Sequence, residues 1–373
     1  MEMIQVAKPY FTDDDIDFIT ENTRDVLKSG MLMQGKWVRE FEETFAAYCG
    51  VRYARAVNSG TSALISALNF FEIEGKEVLV PTNTFLASAN AVIFAGGTPV
   101  FCDIVPETLL IDFDEIVRRT NEKTAGLVLV HQAGLIPPDL ARIRDYCRDN
   151  NLFLLEDSAH AAGSSSAEGR AGGLGDASAF SMLATKIITA GGEGGMVTTN
   201  SEALAHRATS LRFHGEDHKR GIQDRVGYSW RMTEIQAIAG LTQVRRLDEI
   251  VSLRMSVAAR YDEGFRDLES ANALPLPEGC RNAYYKYPLI LGDHLSRPNV
   301  KERLEKEFAV KSGTSYWPTC HLQPAYREKY GYAEGDFPKA EHTLNQTIAL
   351  PMHCHLTEEE VDRVIAAVRA IAG

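Results

Sequence analysis

The sequence predicts an α/β protein: a large unit, residues 1–246, built on a mainly parallel sheet, followed by a smaller α+β unit, residues 247–373. Three observations carry this expectation. Between Tyr53 and Met182 short apolar runs alternate with helix-length amphipathic stretches, the pattern of strands joined by crossover helices and covered on both faces. Asn58-Ser-Gly-Thr-Ser62, Thr82-Asn-Thr-Phe85 and Asp157-Ser-Ala-His160 each follow such a run, at the carboxyl end of the strand, where parallel sheets bind their ligands. From about Leu247 the character changes to one long helix followed by separated strand and helix segments.

Taken in order, the chain opens with helical pieces. Thr12 stands as an N-cap before Asp13, Asp14 and Asp15, whose charges suit the positive end of a helix dipole, and Ile16, Phe18, Ile19, Val26 and Leu27 follow. Trp37, Val38, Phe41, Phe45 and Tyr48 recur at helical spacing until Gly50. Tyr53 to Val57 reads as a strand, and the helix after it carries Ala63, Leu64, Ala67, Leu68 and Phe71. Further strands are expected at Val78–Pro81, Pro99–Ile104, Gly126–His131, Leu152–Glu156 and Ala177–Met182, with helices at Ala87–Phe94, Asp112–Thr120, Pro138–Asn150 and Glu202–Leu211. The charged segment Glu216–Arg225 reads as an exposed loop, suited to a lid or a subunit contact. A helix over Ile250–Leu268, a β-like run Tyr284–Leu291 and a helix Val300–Phe308 come next. In the last helix Thr357 and Glu360 form a capping box ahead of Val361, Val364, Ile365, Val368 and Ile371.

Bulk properties exclude several classes of function. At 373 residues, 45% hydrophobic and 24% charged, the composition is that of an ordinary globular protein. A net charge of −12 argues against a nucleic-acid surface. No apolar run approaches the ~18 residues of a membrane span, and the start lacks a basic stretch followed by an apolar one, so a cytoplasmic protein is expected. The six cysteines form no C-x-x-C pair, which fits reduced thiols. Cys320-His321 and His353-Cys354-His355 do not match zinc spacing, and no metal is expected.

Four stretches carry candidate chemistry. Lys186 lies between the strand ending near Met182 and a turn containing Gly191, Gly192, Gly194 and Gly195, where backbone can approach a ligand closely. A lysine amine becomes nucleophilic when burial disfavours its charge, and its characteristic covalent use is a Schiff base; taken alone, Lys186 reads first as a solvated residue at a loop edge, as most lysines are. Gly60, Thr61 and Ser62 open a helix directly after a strand, which gathers unpaired N–H groups and a dipole suited to phosphate, or simply caps the helix. Phe85 is placed to stack on a planar ring or to fill core. Asp157 ends an apolar strand, where a carboxylate needs a cation such as a protonated pyridine nitrogen, or strong donors in the next turn.

These motifs, in this order, resemble the DegT/DnrJ/EryC1/StrS family of pyridoxal-phosphate sugar aminotransferases. The resemblance rests on Ser-Gly-Thr-Ser-Ala-Leu from Ser59, Glu-Asp-Ser-Ala-His-Ala-Ala-Gly from Glu156, Phe-Ser-x-x-x-Thr-Lys ending at Lys186 with Gly-Glu-Gly-Gly-Met-Val after it, and Gly227-Tyr-Ser-Trp-Arg-Met-Thr-Glu-Ile-Gln-Ala237. It runs from about Val6 to the carboxyl end, where Ile348-Ala-Leu-Pro-Met-His353 and Leu356-Thr-Glu-Glu-Glu-Val361 close the chain. It implies the aspartate-aminotransferase-like fold type I and the cofactor pyridoxal 5'-phosphate, with pyridoxamine 5'-phosphate as its amino form. It further implies that Lys186 is the Schiff-base lysine, Asp157 the partner of the pyridine nitrogen, His160 a neighbour of the ring hydroxyl and Phe85 a cover for the ring. Gly60, Thr61, Ser62 and Ser181 would hold the phosphate, and Tyr316 and His321 would either face substrate or pack in the core.

The same resemblance implies a homodimer with active sites at the subunit interface. In this family an Asn of the partner often reaches the phosphate; here that position is Ser229. Two further departures are Met182-Leu-Ala, where relatives carry an aromatic, and His131-Gln-Ala-Gly-Leu-Ile-Pro-Pro in place of His-x-Tyr-Gly. The implied reaction moves an amino group from an amino acid, glutamate, to a keto sugar linked to a nucleotide. An alternative within the family is a cyclitol or amino-shikimate type ketone as acceptor, and Lys186 speaks against the sugar dehydratases, which carry His at that position; a different class altogether is a non-catalytic regulator or scaffold with the same fold.

Overall fold

Alternating apolar runs and helices become one seven-stranded sheet in the computed structural model of the chain, which describes residues 2–217 and 220–373. In spatial order its strands are Tyr53–Val57, Gly195–Thr199, Ala177–Ser181, Phe153–Asp157, Thr124–Val130, Glu77–Pro81 and Thr98–Cys102. All neighbours pair in parallel except Gly195–Thr199, which runs antiparallel to the strands on both sides of it. The strand Phe153–Asp157 is buried along its whole length, as expected of a strand with helices on both faces.

Each face has its own apolar layer. One is built from α3 (Gly60–Phe70) and α4 (Leu86–Phe94), with Leu64, Leu68 and Val92 packed on Val80, Val128 and Leu155. The other takes α1 (Asp13–Ser29), α2 (Lys36–Cys49) and the helix Glu234–Arg245, where Trp37, Phe41, Phe45, Ile238 and Leu241 meet Phe180 and Met196. Thr12 caps α1, and Asp15 completes a capping box with it. Helix α2 begins at Gly35 without a side-chain cap of its own; the buried carboxylate of Glu234 accepts the N–H groups of Gly35, Trp37 and Val38 instead.

A second sheet of three antiparallel strands, Ala271–Ala273, Tyr287–Leu291 and Thr347–Leu350, packs beneath the helices Leu247–Phe265 and Glu358–Ala372. Ile4 from the amino-terminal segment packs into this layer and pairs with Val310. Thr357 and Glu360 form the expected capping box.

Two elements differ from expectation. The run read as a strand over Tyr284–Leu291 forms one only from Tyr287. Tyr284 takes the left-handed backbone (φ 47), and the buried guanidinium of Arg254 donates to the carbonyls of Ala283, Tyr284 and Tyr285 as well as to that of Met352, so these carbonyls are taken before any strand can use them. The segment Glu216–Arg225 contains a short ribbon, Glu216–Asp217 paired with Ile222–Gln223, and its residues His218 and Lys219 lie outside the described residues, as does Met1. Among the described residues no helix is long and apolar enough to cross a membrane.

Candidate active site

A cavity of about 360 Å³ opens beyond the carboxyl ends of the parallel strands, within the ~300 to 1,000 Å³ usual for small-ligand sites. Gly60, Thr61, Phe85, Asp157, His160, Ser181, Lys186 and Tyr316, all singled out in the sequence, line it. Lys186 sits in the irregular stretch between the strands Ala177–Ser181 and Gly195–Thr199, its N–H bonded to the carbonyl of Leu183. Its amine lies 4.2 Å from the centre of the Tyr285 ring. Burial pushes its pKa down to about 8, against the opposing pull of the Asp157 charge, so a much larger share of this amine is unprotonated than on a surface lysine.

Asp157 is the buried last residue of its strand. Its carboxylate accepts the hydroxyl of Ser88 at 2.6 Å and the N–H of Ala159 at 3.2 Å, and Ser88 shares a second hydrogen bond of 2.7 Å with Thr84. These donors offset the desolvation cost of the charge. His160 accepts the N–H of Ala133 at Nδ1 (3.3 Å), which leaves the ring proton on Nε2 to be shared with the Tyr316 hydroxyl at 2.7 Å. Burial and the positive charges of Lys186 and Lys286 hold its pKa well below the usual imidazole value, so the ring is neutral.

An anion site is assembled by close backbone approach. Ser59 caps α3 by accepting the N–H of Ser62, while among the described residues the N–H groups of Gly60 and Thr61 have no acceptor. A side chain would not fit at two positions. A Cβ on Gly60 would fall 2.7 Å from Cβ of Ser181, and one on Gly195 would fall 2.2 Å from the carbonyl oxygen of Ser59. The helix start, Thr61 and Ser181 are thereby held at one corner of the cavity.

Three expected residues stand elsewhere. The Ser62 hydroxyl is bonded to Asn58 and Ser59 and does not line the cavity. His321 is fully buried outside it, with Nδ1 shared by Thr82 and Thr319 and Nε2 bonded to Glu341 at 2.9 Å, so the reading of His321 as substrate-facing gives way to core packing. Ser229 is exposed on the outer surface, where it accepts from Arg231 at 2.6 Å. Residues missed in the sequence are Ser88, Tyr285, Lys286 and Glu193. Tyr285 stacks on His160 at 4.1 Å between centroids, and Lys286 projects over Tyr316 at 4.4 Å. A serine in the mostly apolar helix Leu86–Phe94 and a lysine within Tyr284-Tyr-Lys-Tyr287 are the signals that could have found two of them.

The set suits one kind of ligand. Free N–H groups at a helix start take an anion, the buried carboxylate takes a protonated ring nitrogen, and the Phe85 side chain, 58% exposed, offers a flat apolar face. The shifted lysine amine takes an aldehyde. A phosphate-bearing aromatic aldehyde meets all four.

Comparison with known proteins agrees. The model of the DegT/DnrJ/EryC1/StrS aminotransferase family matches residues 13–369. GDP-perosamine synthase of Caulobacter vibrioides is 37% identical over 372 residues, covering 98% of this chain and 97% of that protein. The dTDP-4-dehydro-2,3,6-trideoxy-D-glucose 4-aminotransferase of Saccharopolyspora spinosa is 32% identical over 380 residues, with coverages of 97% and 95%. Among solved structures, Helicobacter pylori PseC, an aminotransferase involved in the biosynthesis of pseudoaminic acid, superposes with a TM-score of 0.92 at 29% identity, covering 100% of this chain and 99% of its own.

Proposed function

The chain belongs to the DegT/DnrJ/EryC1/StrS aminotransferase family, and from that premise we propose that it transfers an amino group from L-glutamate to a nucleotide-linked keto sugar, with pyridoxal 5'-phosphate held in the cavity around Lys186. The observation that carries the reading is the convergence on one cavity of a lysine amine shifted to about 8, a buried and well-donated Asp157, and the unused N–H groups of Gly60 and Thr61. Relatives that make GDP- and dTDP-linked amino sugars support the acceptor class.

When bound, pyridoxal phosphate supplies an aldehyde carbon open to amines and a ring that draws electrons from the atoms attached there. In this proposal Gly60, Thr61 and Ser181 hold the phosphate, and Phe85 and His160 are the aromatic neighbours of the ring. Asp157 would partner the ring nitrogen, and Ser88 with the Ala159 N–H holds its carboxylate oriented for that task. Lys186 would hold the aldehyde carbon of the bound group through its Nζ. When not so engaged, the same Nζ would take a proton from the donor's α-carbon and, in the second half-reaction, deliver one to the sugar carbon that becomes amine-bearing.

A second copy of the chain belongs to this reading. Met31, Leu32 and Met33 are exposed apolar residues, joined to the start of the helix Glu234–Arg245 through the bridge Met33 to Thr233, where Ile235 is also exposed. Such a patch favours burial against a partner, and Ser229 would face the partner's phosphate site. The absorbance of the purified holoprotein tests the proposal. A visible band that shifts when L-glutamate is added, and returns when a keto-sugar nucleotide is added with an amino-sugar product detected by mass, is the expected outcome; a spectrum indifferent to glutamate would overturn it.

A further inference from the structure

The cavity contains a second lysine that the transamination chemistry above does not use. Lys286 enters on the left-handed segment around Tyr284 and lines the same cavity as Lys186. Its ammonium has three N–H donors, and one of them goes to the carbonyl of Thr314 at 2.8 Å. It lies over two aromatic faces, Tyr316 at 4.4 Å and Tyr285 at 5.7 Å from the ring centres, and close enough to Lys186 and His160 to act on both electrostatically. Among the described residues it makes no ion pair, although many surface lysines and arginines of this chain do. A carbonyl and two π faces stabilise the cation only in part: burial, with the Lys186 charge, pushes the Lys286 pKa down to about 8, as for Lys186, and an anion arriving beside it favours the charged form again.

We infer that the Lys286 ammonium is the receptor for a carboxylate of the amino-acid donor. The inference rests on the aminotransferase reading and adds to it the group that recognises the donor. Position selects this anion. Lys186 and Lys286 flank a single ring, Tyr285, at 4.2 Å and 5.7 Å from its centre. The donor nitrogen has to replace the Lys186 amine during the reaction, and in any α-amino acid the carboxylate is attached to the same carbon as that nitrogen. A cation one aromatic ring away from Lys186 is therefore within reach of the donor's carboxylates. The diphosphate of a sugar nucleotide, separated from the reacting carbon by the sugar ring, belongs further out towards solvent. The Thr314 carbonyl gives the ammonium a neutral partner to return to when the uncharged sugar takes its turn in the same space.

Holoprotein of wild type, Lys286→Met and Lys286→Arg tests this. Calorimetric binding of glutarate, a dicarboxylate with no amino group to react, reads the receptor alone, and single-turnover spectra read glutamate and keto-sugar half-reactions separately. The expected result is that Lys286→Met weakens glutarate and glutamate by about 10- to 100-fold, the usual scale for a charge-assisted contact. That loss exceeds any change in the dissociation constant of the keto sugar. Lys286→Arg retains most of the affinity, which ties the effect to charge. Undiminished glutarate binding in Lys286→Met, or a loss confined to the keto sugar, overturns the inference while the aminotransferase reading stands. A wild-type protein with no glutamate response overturns that reading itself.

Discussion

Lys186 and Asp157 set the chemistry at the residue scale, and each makes a measurable commitment. With its pKa near 8, the Lys186 amine should capture added pyridoxal phosphate in the apoprotein at a rate that rises about tenfold per pH unit up to pH 8 and then levels, because only the unprotonated amine attacks. Stopped-flow absorbance checks this; a rate still climbing at pH 10 would indicate an ordinary lysine, and Lys186→Ala should show no saturable covalent phase. Ser88 acts through Asp157, so Ser88→Ala should lower the rate of the glutamate half-reaction by roughly 10- to 100-fold while cofactor content stays near that of wild type, as read in single turnover. Lys186, Asp157 and the Gly60 turn, which all line one cavity, are each ambiguous alone and were picked out in the sequence by an order and spacing that resemble the family's motifs. Ser88 and Lys286 were not, since their importance comes from what distant parts of the chain place beside them: Asp157 for the one, Tyr316 and the Lys186 loop for the other.

At the scale of elements, most of the strands and helices could be read from periodicity, to within a few residues at their ends. The strand Gly195–Thr199, the helix Glu234–Arg245 and the strands Ala271–Ala273 and Thr347–Leu350 were not among those read, and Tyr284–Tyr285–Lys286, which has the composition of a strand, is held out of one by tertiary hydrogen bonds to Arg254. Helix α2 shows the same dependence on distant partners. Its start is capped by Glu234 from a helix almost two hundred positions later, a relation that no local pattern announces. Glu234→Ala leaves three buried N–H groups without an acceptor and should cost about 2 to 4 kcal/mol, seen as a lower denaturation midpoint in urea with an unchanged slope. Glu234→Gln, which keeps an acceptor oxygen and loses the charge, should cost less than half as much.

For the whole molecule, the sequence disclosed the large mainly parallel sheet and a smaller α+β region after it, but neither the antiparallel pairing of the second sheet nor the way the amino-terminal segment joins that layer through Ile4 had a periodic signal. That region also governs the response to acid. Burial, reinforced by the charges of Arg254 and His355, lowers His353 from 6.5 to about 4, and burial lowers His321 as well. A histidine with a depressed folded value binds its proton more readily when unfolded, so it contributes nothing to pH dependence above about 6.5 and subtracts stability as pH falls from there towards 4. The melting temperature should drop by several degrees between pH 7.5 and 5, and His353→Gln should flatten that slope; an unchanged slope would remove His353 from the account. Arg254 has the widest consequence. One planar group clasps residues 283 to 285, of which Tyr285 lines the catalytic chamber, and Met352, two positions past the last strand of the smaller sheet. Tilting the long helix that bears it would therefore shift floor and flank together, making chamber width and the seating of the second layer a single mechanical coordinate.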